Sequence, residues 1–481
     1  MKNNFLKHFF IIGSGTFISM FIGFLTTPII TRIVSPVDYG QYSIFTMYSN
    51  IALMVLCIGL DQALVRYFYE TKMESSQRAL MYKCLKIPMI GTVIVTIIVL
   101  ALAKLGVFIF ELGFSVLSLL CVYTLVQIIY RFSQLLIRLQ YKSKLYSLLG
   151  IIQKSVYVIL ALGLIHVGVI SDSLSLEIAT AVGAVVCLFI SIWAEHKLWN
   201  PLKIQSGDCS VTQRELIQYA YPYVFTMGLT TLFQYIDKIS LNYYCSYEQV
   251  GIYASTMTLV NIFAIIQNTF NTLWAPMAVE HYTKDKTDVF FYQSGNQIIT
   301  VIMFFVGLSL IFLKDIFATL LGEKYRDAAY ILPFLIFNPI MYTISETTVN
   351  GLVFMKKSKM QVVVSIGACM TNVIGNIILV PKFGCQGAAI STGLSYIVFF
   401  TLRTVLSNKY YYVDFKLKRF YLLTIVAVLY AFYNTFVKFN TRSIVGYFVC
   451  VTVLILLYKD TILFILKYIQ DMVLNIVNNH K

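Results

Sequence analysis

The chain has 481 residues, of which 58% are hydrophobic and only 12% are charged, and its formal net charge is +15 at pH 7. Soluble domains carry about 45–50% apolar and about 25% charged residues. So little charge cannot coat a soluble globule of this length, which excludes a cytosolic enzyme, a disordered chain and a disulfide scaffold, and indicates a polytopic membrane protein.

Apolar runs long enough to cross a bilayer dominate the sequence. A crossing helix needs roughly 20 apolar residues, and the sustained ten-residue alternation of barrel strands is absent. We therefore predict an all-α polytopic membrane protein with about 14 transmembrane helices, joined by loops too short to hold a soluble catalytic domain. The predicted spans are 9–33, 41–69, 81–103, 113–137, 146–168, 174–194, 216–241, 249–275, 289–313, 327–354, 360–380, 385–407, 418–437 and 443–458.

The basic residues predict the orientation of these helices. With the amino terminus inside and the spans alternating, 24 Lys and Arg residues fall on inside segments and 7 fall on outside segments. Positive charge concentrates on the cytoplasmic side of membrane proteins, so we expect both termini in the cytoplasm. The basic surplus then indicates contact with anionic membrane lipid and gives no support to nucleic-acid binding.

The cysteines and histidines give no sign of a metal or a cofactor. Nine cysteines are spread through the chain without a CxxC pair, mostly within apolar runs, and the five histidines are scattered. Such cysteines are typical of small packing residues, and zinc ligands need closer spacing. We therefore predict no catalytic, metal-binding or cofactor-binding residues.

Two turns of the chain repeat each other. The segment SPVDYGQY at 35–42 and Asn50 match the segment SYEQVGIY at 246–253 and Asn261, at a common offset of 211 residues. This offset equals six predicted spans, so we expect two parallel repeats of six helices, as in transporters built from two like bundles. The predicted domains are an amino-terminal bundle at 1–200, a cytoplasmic linker at 201–215, a second bundle at 216–408, and two added helices with a cytoplasmic tail at 409–481.

Three stretches carry a resemblance to a known family: "PIITRIVSPVDYGQYSIF…GLDQALVRYFYE" from Pro28 to Glu70, "YAYPYVF…YIDKISL…YEQVGIYASTMTLVNIF" from Tyr219 to Phe263, and "VPKFGCQGAAISTGLSY" from Val380 to Tyr396. They resemble the bacterial polysaccharide repeat-unit flippases for O-antigen and capsule, within the multidrug/oligosaccharidyl-lipid/polysaccharide exporter superfamily. The lipid-linked peptidoglycan precursor flippases are cousins, but their arginine-rich first helix has no match here.

The resemblance implies a fold and a function. Members have two six-helix bundles in a V around a central cavity, and they move undecaprenyl-diphosphate-linked oligosaccharides from the inner to the outer leaflet of the bacterial plasma membrane by alternating access. The implied partners are this lipid-linked glycan, membrane lipid, a polysaccharide polymerase and other assembly proteins. An anionic diphosphate is very costly in hydrocarbon, so its path should be polar and cationic.

Arg131 in the fourth predicted span is the clearest candidate for that path. Gln127, Arg131, Gln134 and Arg138 lie at i, i+4, i+7 and i+11, which is one helix face. Intramembrane cations normally face a bundle interior or an aqueous cavity, and a guanidinium can hold a diphosphate through its fork of donors. We predict substrate contact for Gln127, Arg131 and Gln134, with a structural or snorkelling role as the alternative for Arg131 and snorkelling favoured for Arg138.

Further cations in the amino-terminal half are candidates for the same path. Lys154 lies well inside the fifth span, Arg32 lies near the outer end of the first span, and Arg66 lies toward the cytoplasmic end of the second. Arg66 and Asp61 are five residues apart, which is poor spacing for a direct helical pair. Interfacial anchoring is the favoured alternative for both.

The second half offers two carboxylates and several polar contacts. Asp237 is predicted either as a proton or sodium site or, preferably, as the partner that neutralises Lys238 or Arg32, and Glu346 is the second candidate for ion coupling. Lys238 is also a candidate substrate contact. Asn261 and Asn268 share one stripe of the eighth span, where amides bond between helices or contact sugars.

Two other functions remain open at this point. A cation-coupled multidrug exporter of the same superfamily would favour an acidic cavity, whereas the deeper charges of this chain lean basic. A membrane polysaccharide polymerase would need a sizeable outer loop with catalytic residues, and the longest predicted outer loop, 314–326, is short. The sequence identifies neither the glycan nor the driving ion, H⁺ or Na⁺.

Overall fold

The apolar runs fold into helices because a backbone in hydrocarbon must satisfy its own hydrogen bonds. The computed structural model describes residues 2–71, 73–106, 112–201, 211–467 and 470, with the backbone alone described for residues 2–16, 264 and 265. The described chain is helical and contains no strand. It divides into two compact units, Met1–Tyr235 and Ile236–Lys481, and the boundary between them falls within the helix Gln213–Tyr244.

The first unit contains eight helices and the first part of a ninth. Helix α1 packs on α6, α6 packs on α7, and α5 packs on α2, α4 and α7. A buried apolar cluster joins α3, α4, α5, α8 and the first part of α9, with Leu64, Cys84, Leu136 and Leu216 at its centre. The helices are α1 Lys2–Ile33, α2 Pro36–Cys57, α3 Leu60–Tyr67, α4 Glu74–Lys104, α5 Phe114–Leu139, α6 Ser143–Val167, α7 Asp172–Ala194, α8 His196–Trp199 and α9 Gln213–Tyr244.

The second predicted span is broken where α2 meets α3. Ile58 and Gly59 both adopt left-handed backbone angles, with φ of 50° and 71°, and the two helices are bent by 56°. A positive φ is rare for a β-branched residue such as Ile58. A Cβ at residue 59 would stand 2.7 Å from the carbonyl oxygen of Ala220, so glycine allows α9 to pack closely on this break.

The second unit contains the rest of α9, the ten further helices given below, and a helical segment at Lys459–Lys467. Helix α15 packs on α12 and α17, and α14 packs on α10, α17 and α18. The helices are α10 Tyr247–Val260, α11 Phe263–Lys284, α12 Val289–Phe312, α13 Lys314–Leu320, α14 Ala328–Leu335, α15 Phe337–Thr348, α16 Asn350–Phe354, α17 Ser358–Asn408, α18 Leu417–Phe436 and α19 Thr441–Leu457.

Helix α17 covers two predicted spans and is interrupted at Gly384. This residue has φ of 55° and ψ of −132°, which favours glycine. The side chain of Gln249 in α10 holds the break, because its Oε1 accepts a hydrogen bond of 2.7 Å from the backbone N–H of Cys385. The chain reverses here, so the hydroxyl of Ser391 donates to the carbonyl oxygen of Asn372 at 2.8 Å.

Lys314 fastens the added helix α18 to the second unit. Its side chain is fully buried, and its ammonium donates to the carbonyl oxygens of Asn434 at 2.5 Å and Val437 at 2.8 Å, at the carboxyl end of α18. The ammonium also lies 4.9 Å from the centre of the Tyr330 ring. A cation at this helix end satisfies carbonyls that lack helical partners and complements the helix dipole.

The internal repeat has a structural counterpart. Helix α1 spans Lys2–Ile33 and α9 spans Gln213–Tyr244, so both ends are displaced by 211 residues. The following helices, α2 and α10, begin at Pro36 and Tyr247, again 211 residues apart. The sequence repeat therefore marks two helices of equal length, each followed by a helix that begins at the same offset.

Every predicted span falls on a helix or an interrupted helical segment, and the all-α prediction for a multi-pass membrane protein is confirmed. By length and composition, eight of the described helices could cross a membrane, or up to ten if each bent pair is one span. This count takes α17 as one helix, although α17 covers two predicted spans. Fourteen crossings therefore stays a prediction, as does the cytoplasmic position of both termini.

The domain boundaries also stay a prediction. The two compact units meet between Tyr235 and Ile236, whereas the predicted linker lies at 201–215. Residues 202–210 of that linker and most of the predicted cytoplasmic tail lie outside the described residues.

Candidate functional site

A cavity of about 310 Å³ lies within the first unit. Helices α2, α3, α5 and the first part of α9 form its wall, and the break between α2 and α3 brings Cys57 and Asp61 to it together. The cavity therefore combines apolar side chains with hydroxyls, an amide and two opposite charges. Its lining residues are Asn50, Leu53, Met54, Cys57, Asp61, Arg131, Thr226, Met227, Thr230 and Thr231.

Arg131 and Asp61 form an ion pair on this cavity. The Nη2 and Nε atoms of Arg131 donate to Oδ2 of Asp61 at 3.0 and 3.3 Å, and Nε2 of Gln62 donates to the same oxygen at 3.0 Å. The Asp61 side chain is 5% exposed, whereas that of Arg131 is 40% exposed. The pair is therefore anchored on its acidic side and open on its basic side.

Each partner keeps unused hydrogen-bonding capacity. Nη1 of Arg131 makes no hydrogen bond to the described residues, and Oδ1 of Asp61 is buried without a partner among them. A guanidinium with a free edge can bind an oxyanion through charge-assisted hydrogen bonds. The arrangement can therefore hold an anion at Arg131 and a hydrogen-bond donor at Asp61.

The four residues of the predicted polar face of α5 lie in different environments. Of its four members, Arg131 is the one that lines the cavity. Gln127 and Gln134 each donate to the hydroxyl of the tyrosine one turn earlier, at 2.7 and 2.8 Å, and Arg138 is exposed. The two glutamines therefore bond within their own helix, and their predicted contact with substrate stays a prediction.

The other predicted cations of the first unit lie away from the cavity lining. Arg66 is exposed and forms an ion pair with Glu70, one turn later on the chain. Arg32 on α1 and Lys154 on α6 are exposed and make no hydrogen bond to the described residues. Their roles in a substrate path remain predictions.

Asp237 lies at the centre of a buried polar cluster in the second unit. Its Oδ2 accepts hydrogen bonds from the hydroxyls of Tyr253 and Thr392, both at 2.6 Å, and its Oδ1 accepts one of 2.8 Å from Nδ2 of Asn376. Every hydrogen bond that Asp237 accepts within the described part of the chain thus comes from a neutral group. The structure therefore gives Asp237 neutral partners, and its pairing with Lys238 or Arg32 stays a prediction.

This cluster, called the Asp237 cluster below, consists of Asp237, Tyr253, Asn372, Asn376, Ser391 and Thr392. Asn376 also bonds to Asn372, and its own Oδ1 is buried without a partner. Polar side chains of α10 and of both halves of α17 therefore meet at the carboxylate on α9, because α17 reverses at Gly384 and brings its two halves together. Oxygen ligands of this kind suit a hard cation, and a lone buried carboxylate also suits a proton.

The remaining predicted contacts of the second unit are dispersed. Lys238 is partly buried beside Asp237 in sequence, whereas Asn261 at the end of α10 and Asn268 on α11 are exposed. Within the described residues, no three His, Cys, Asp or Glu side chains lie close enough to hold a metal ion. The eight described cysteines form no disulfide bond, and Cys209 lies outside the described residues.

Glu346, the second predicted coupling residue, forms an ion pair with Arg403. The distance from Nη1 of Arg403 to Oε1 of Glu346 is 2.7 Å, and both side chains are largely buried. Nη1 also donates to the hydroxyl of Ser345 at 2.7 Å, and the guanidinium lies over the rings of Tyr342 and Phe399. A cation at Glu346 would have to compete with this arginine, so ion coupling there stays a prediction.

Sequence reasoning missed several residues of these sites. It treated Asp61 as an interfacial anchor, omitted Arg403, and overlooked Glu177, a carboxylate of α7 that is buried with Oε2 unpartnered among the described residues. Signals for them exist, since Arg403 and Glu177 are charges inside predicted spans. Asn372 and Asn376 are one turn apart on α17, which is the spacing that marks one face of a helix.

Sequence relatives point to one family. Residues 5–282 match the family described as "Polysaccharide biosynthesis protein". An uncharacterized membrane protein of Methanocaldococcus jannaschii is 22% identical over 437 residues, which cover 86% of this chain and 85% of that protein. The "probable low-salt glycan biosynthesis flippase Agl15" of Haloferax volcanii is 24% identical over 244 residues, which cover 50% of this chain and 49% of that protein.

Solved structures show the same fold at low sequence identity. The lipid II flippase MurJ in an inward closed conformation has a TM-score of 0.70 at 15% identity, covering 96% of this chain and 100% of that chain. An inward-facing multidrug resistance MATE family transporter of the MOP superfamily has a TM-score of 0.59 at 14% identity, covering 81% of this chain and 94% of that chain. The fold is therefore shared with these transporters, and because the family match covers more than half of its length, the chain belongs to the polysaccharide biosynthesis protein family.

Proposed function

We propose that the protein is a flippase that moves oligosaccharides linked to undecaprenyl diphosphate from the inner to the outer leaflet of a bacterial plasma membrane, by alternating access. The observation that carries the proposal is the Arg131–Asp61 pair, which presents a partly exposed guanidinium to the cavity of the first unit. The family membership supports it, as do the names of two similar proteins, a glycan biosynthesis flippase and a lipid II flippase.

Arg131 would receive the diphosphate. An anion that crosses about 30 Å of hydrocarbon needs a compensating charge along its way. The free edge of the guanidinium can give two aligned hydrogen bonds to phosphate oxygens while Asp61 keeps the arginine in place. Gln127, Gln134, Arg32, Arg66, Lys154, Lys238, Asn261 and Asn268 would act at other steps of the path.

The Asp237 cluster would bind the driving cation. A carboxylate surrounded by hydroxyl and amide groups can exchange their hydrogen bonds for a sodium ion, or it can take up a proton. Rotating the Asn376 amide would turn its oxygen toward the carboxylate and complete an oxygen-lined site. Glu346 is a weaker candidate because Arg403 already neutralises it.

A second candidate function is cation-coupled multidrug export. The fold shared with MATE family transporters and the buried carboxylate of the Asp237 cluster favour it. The cavity of the first unit argues against it, since its exposed charge is the cation of Arg131 and a cationic drug would be repelled. The polymerase hypothesis gains no support from the family or the fold.

The wider role follows from the substrate class. A flipped repeat unit would feed a surface polysaccharide such as O-antigen or capsule, with a polymerase and other assembly proteins acting after it. No catalytic chemistry is proposed for this chain.

The test is translocation by purified protein in liposomes. A fluorescent undecaprenyl-diphosphate oligosaccharide would be placed in both leaflets, and its accessibility to a membrane-impermeant quencher would be followed under a Na⁺ gradient, a pH gradient and no gradient. We expect translocation above that of empty liposomes and acceleration by one of the two gradients. No translocation above empty liposomes, together with gradient-driven movement of a cationic drug, would replace this proposal with the second candidate.

A further inference from the structure

The cavity of the first unit places hydrogen-bond acceptors beside the guanidinium of Arg131. The hydroxyl of Thr226 donates to the carbonyl oxygen of Tyr223 at 3.2 Å, and that of Thr230 donates to the carbonyl oxygen of Thr226 at 2.9 Å. Their hydrogens are used within α9, and both residues line the cavity together with Asp61.

The two oxygens of Asp61 are bonded unequally. Oδ2 accepts from Arg131 and Gln62, whereas Oδ1 is buried and accepts no hydrogen bond from the described residues. A buried acceptor without a partner is costly. An ionised carboxylate accepts stronger hydrogen bonds than a neutral acceptor does. A ligand group that donates a hydrogen bond next to the anion on Arg131 would remove this cost.

We propose that Asp61 recognises the sugar adjacent to the diphosphate, by accepting a hydrogen bond from its hydroxyl or amide N–H at Oδ1. The inference rests on the proposed function, since Arg131 must hold the diphosphate for the first sugar to reach Asp61. The sugar class follows from charge. A neutral hexose or N-acetylhexosamine offers donors, whereas the carboxylate of a uronic acid would face Asp61 and be repelled.

The cavity is suited to one such unit. Its volume of about 310 Å³ is at the lower end of ligand pockets, so it can take a sugar ring with its phosphate but not a whole oligosaccharide. The distal sugars of the repeat unit would then make no contact with this cavity. Selectivity here would concern the first sugar and tolerate variation beyond it.

The experiment measures affinity for three probes: undecaprenyl diphosphate, the same lipid with N-acetylglucosamine, and the same lipid with galacturonic acid. Wild type, Asp61→Ala and Asp61→Asn would be compared in lipid nanodiscs, with Glu280→Gln as a control, because Glu280 is exposed and paired with Lys284 in the second unit. A hydrogen bond to a carboxylate is worth about tenfold in affinity.

For wild type and the control we expect the N-acetylglucosamine probe to bind about tenfold more tightly than the bare lipid and more tightly than the galacturonic acid probe. Asp61→Ala should lose the preference for the sugar, and Asp61→Asn should lose the discrimination against galacturonic acid, each judged relative to the same variant's affinity for the bare lipid, so that a shift of Arg131 does not count. Helical content and melting temperature would verify that each variant is folded.

Two outcomes separate this inference from the proposed function. Wild type that binds none of the three probes would overturn the flippase proposal itself. Wild type that binds the bare lipid but shows no preference for the neutral sugar, or a folded Asp61→Ala that keeps the wild-type preference, would overturn the role of Asp61 alone. If both Asp61 variants fail to fold, the test is the ratio of the wild-type affinities for the N-acetylglucosamine and galacturonic acid probes. Equal affinities would overturn the inference.

Discussion

Asp61 and Asp237 are both buried aspartates at polar sites, but their surroundings are opposite. Asp61 is bonded to a cation and lines an open cavity, whereas Asp237 is enclosed by neutral hydroxyl and amide donors. The repeat sharpens the contrast, because α9 carries Asp237 where α1 carries Thr26 at the offset of 211 residues. Two structurally repeated halves have thus acquired unlike chemistry.

Under the proposed function, the difference corresponds to different tasks for the two units. An arginine whose charge is partly exposed can bind a large anion through its free edge while it stays bonded to Asp61, since the cavity gives that anion room. The Asp237 cluster is closed and rich in oxygen, so it suits something as small as Na⁺ or H⁺. The first unit would therefore bind the substrate, and the second unit would bind the driving ion.

The largest expected effect follows from removing the charge of Arg131. Arg131→Ala in a strain that lacks the native gene should lower surface polysaccharide by about tenfold to a hundredfold, because charge-assisted hydrogen bonds to the diphosphate are lost. Arg131→Lys keeps the charge without the fork and should give a partial defect. Quantitation of surface glycan, normalised to the variant protein in the membrane fraction, measures both.

Arg138→Ala is the matched control on the same helix, since Arg138 is exposed and does not line the cavity. Its surface glycan should stay close to the wild-type level. A wild-type level of glycan from Arg131→Ala would show that the diphosphate does not bind at Arg131. Loss of the Arg131→Ala protein from the membrane would show that the Arg131–Asp61 pair is needed for folding.

The next effect tests the second half. Asp237→Asn should lower translocation in liposomes by about tenfold and remove its response to Na⁺ or pH gradients, because an amide nitrogen would face donors that now bond a carboxylate. Glu280→Gln should change neither quantity. An Asp237→Asn protein with normal gradient dependence would show that the coupling ion binds elsewhere, and the comparison of the two aspartates would lose its functional meaning.

A smaller effect concerns stability in place of transport. Arg403→Gln should destabilise the protein by about 3 kcal/mol, because Glu346 would be left as a buried charge without its partner. The double variant with Glu346→Gln should recover part of that loss. Unfolding in detergent measures Arg403→Gln, Glu346→Gln and the double variant, and additive losses in the double variant would mean that the two residues do not act as a pair.

The smallest effect is expected at Lys314. Lys314→Met keeps the length of the side chain but leaves the carbonyl oxygens of Asn434 and Val437 without a donor, so unfolding should be easier by about 1–2 kcal/mol. Translocation should stay within about twofold of wild type, unlike the result for Arg131. A Lys314→Met protein of normal stability but without transport would show that this buried cation also belongs to the path.

The sequence predicts the helices well because the signal is local. Long apolar runs decide where helices lie, so the predicted span 289–313 and helix α12, Val289–Phe312, nearly coincide. Arg131 was identifiable for the same reason, since a cation inside a span must find a polar environment. The offset of 211 residues likewise needs only a comparison of the chain with itself.

The site depends on contacts that periodicity cannot reveal. Arg131 meets Asp61 across 70 positions of the chain, and Asn376 meets Asp237 across 139. The break at Ile58–Gly59 turns Asp61 toward the cavity, yet a Gly within an apolar run gives only a weak signal of a bend. Helix-face reasoning therefore grouped Gln127 and Gln134 with Arg131, although both glutamines bond to tyrosines of their own helix.

Photocrosslinking of a diphosphate tests the central claim most directly. A photoreactive polyprenyl diphosphate would be bound to wild type and Arg131→Ala in nanodiscs, and the labelled peptides would be identified by mass spectrometry. The account predicts labels in α2, α5 and the first part of α9, around Asn50, Arg131 and Thr230, with their loss in Arg131→Ala. Labels confined to other helices, or unchanged labelling in Arg131→Ala, would contradict the assignment of this cavity to the diphosphate.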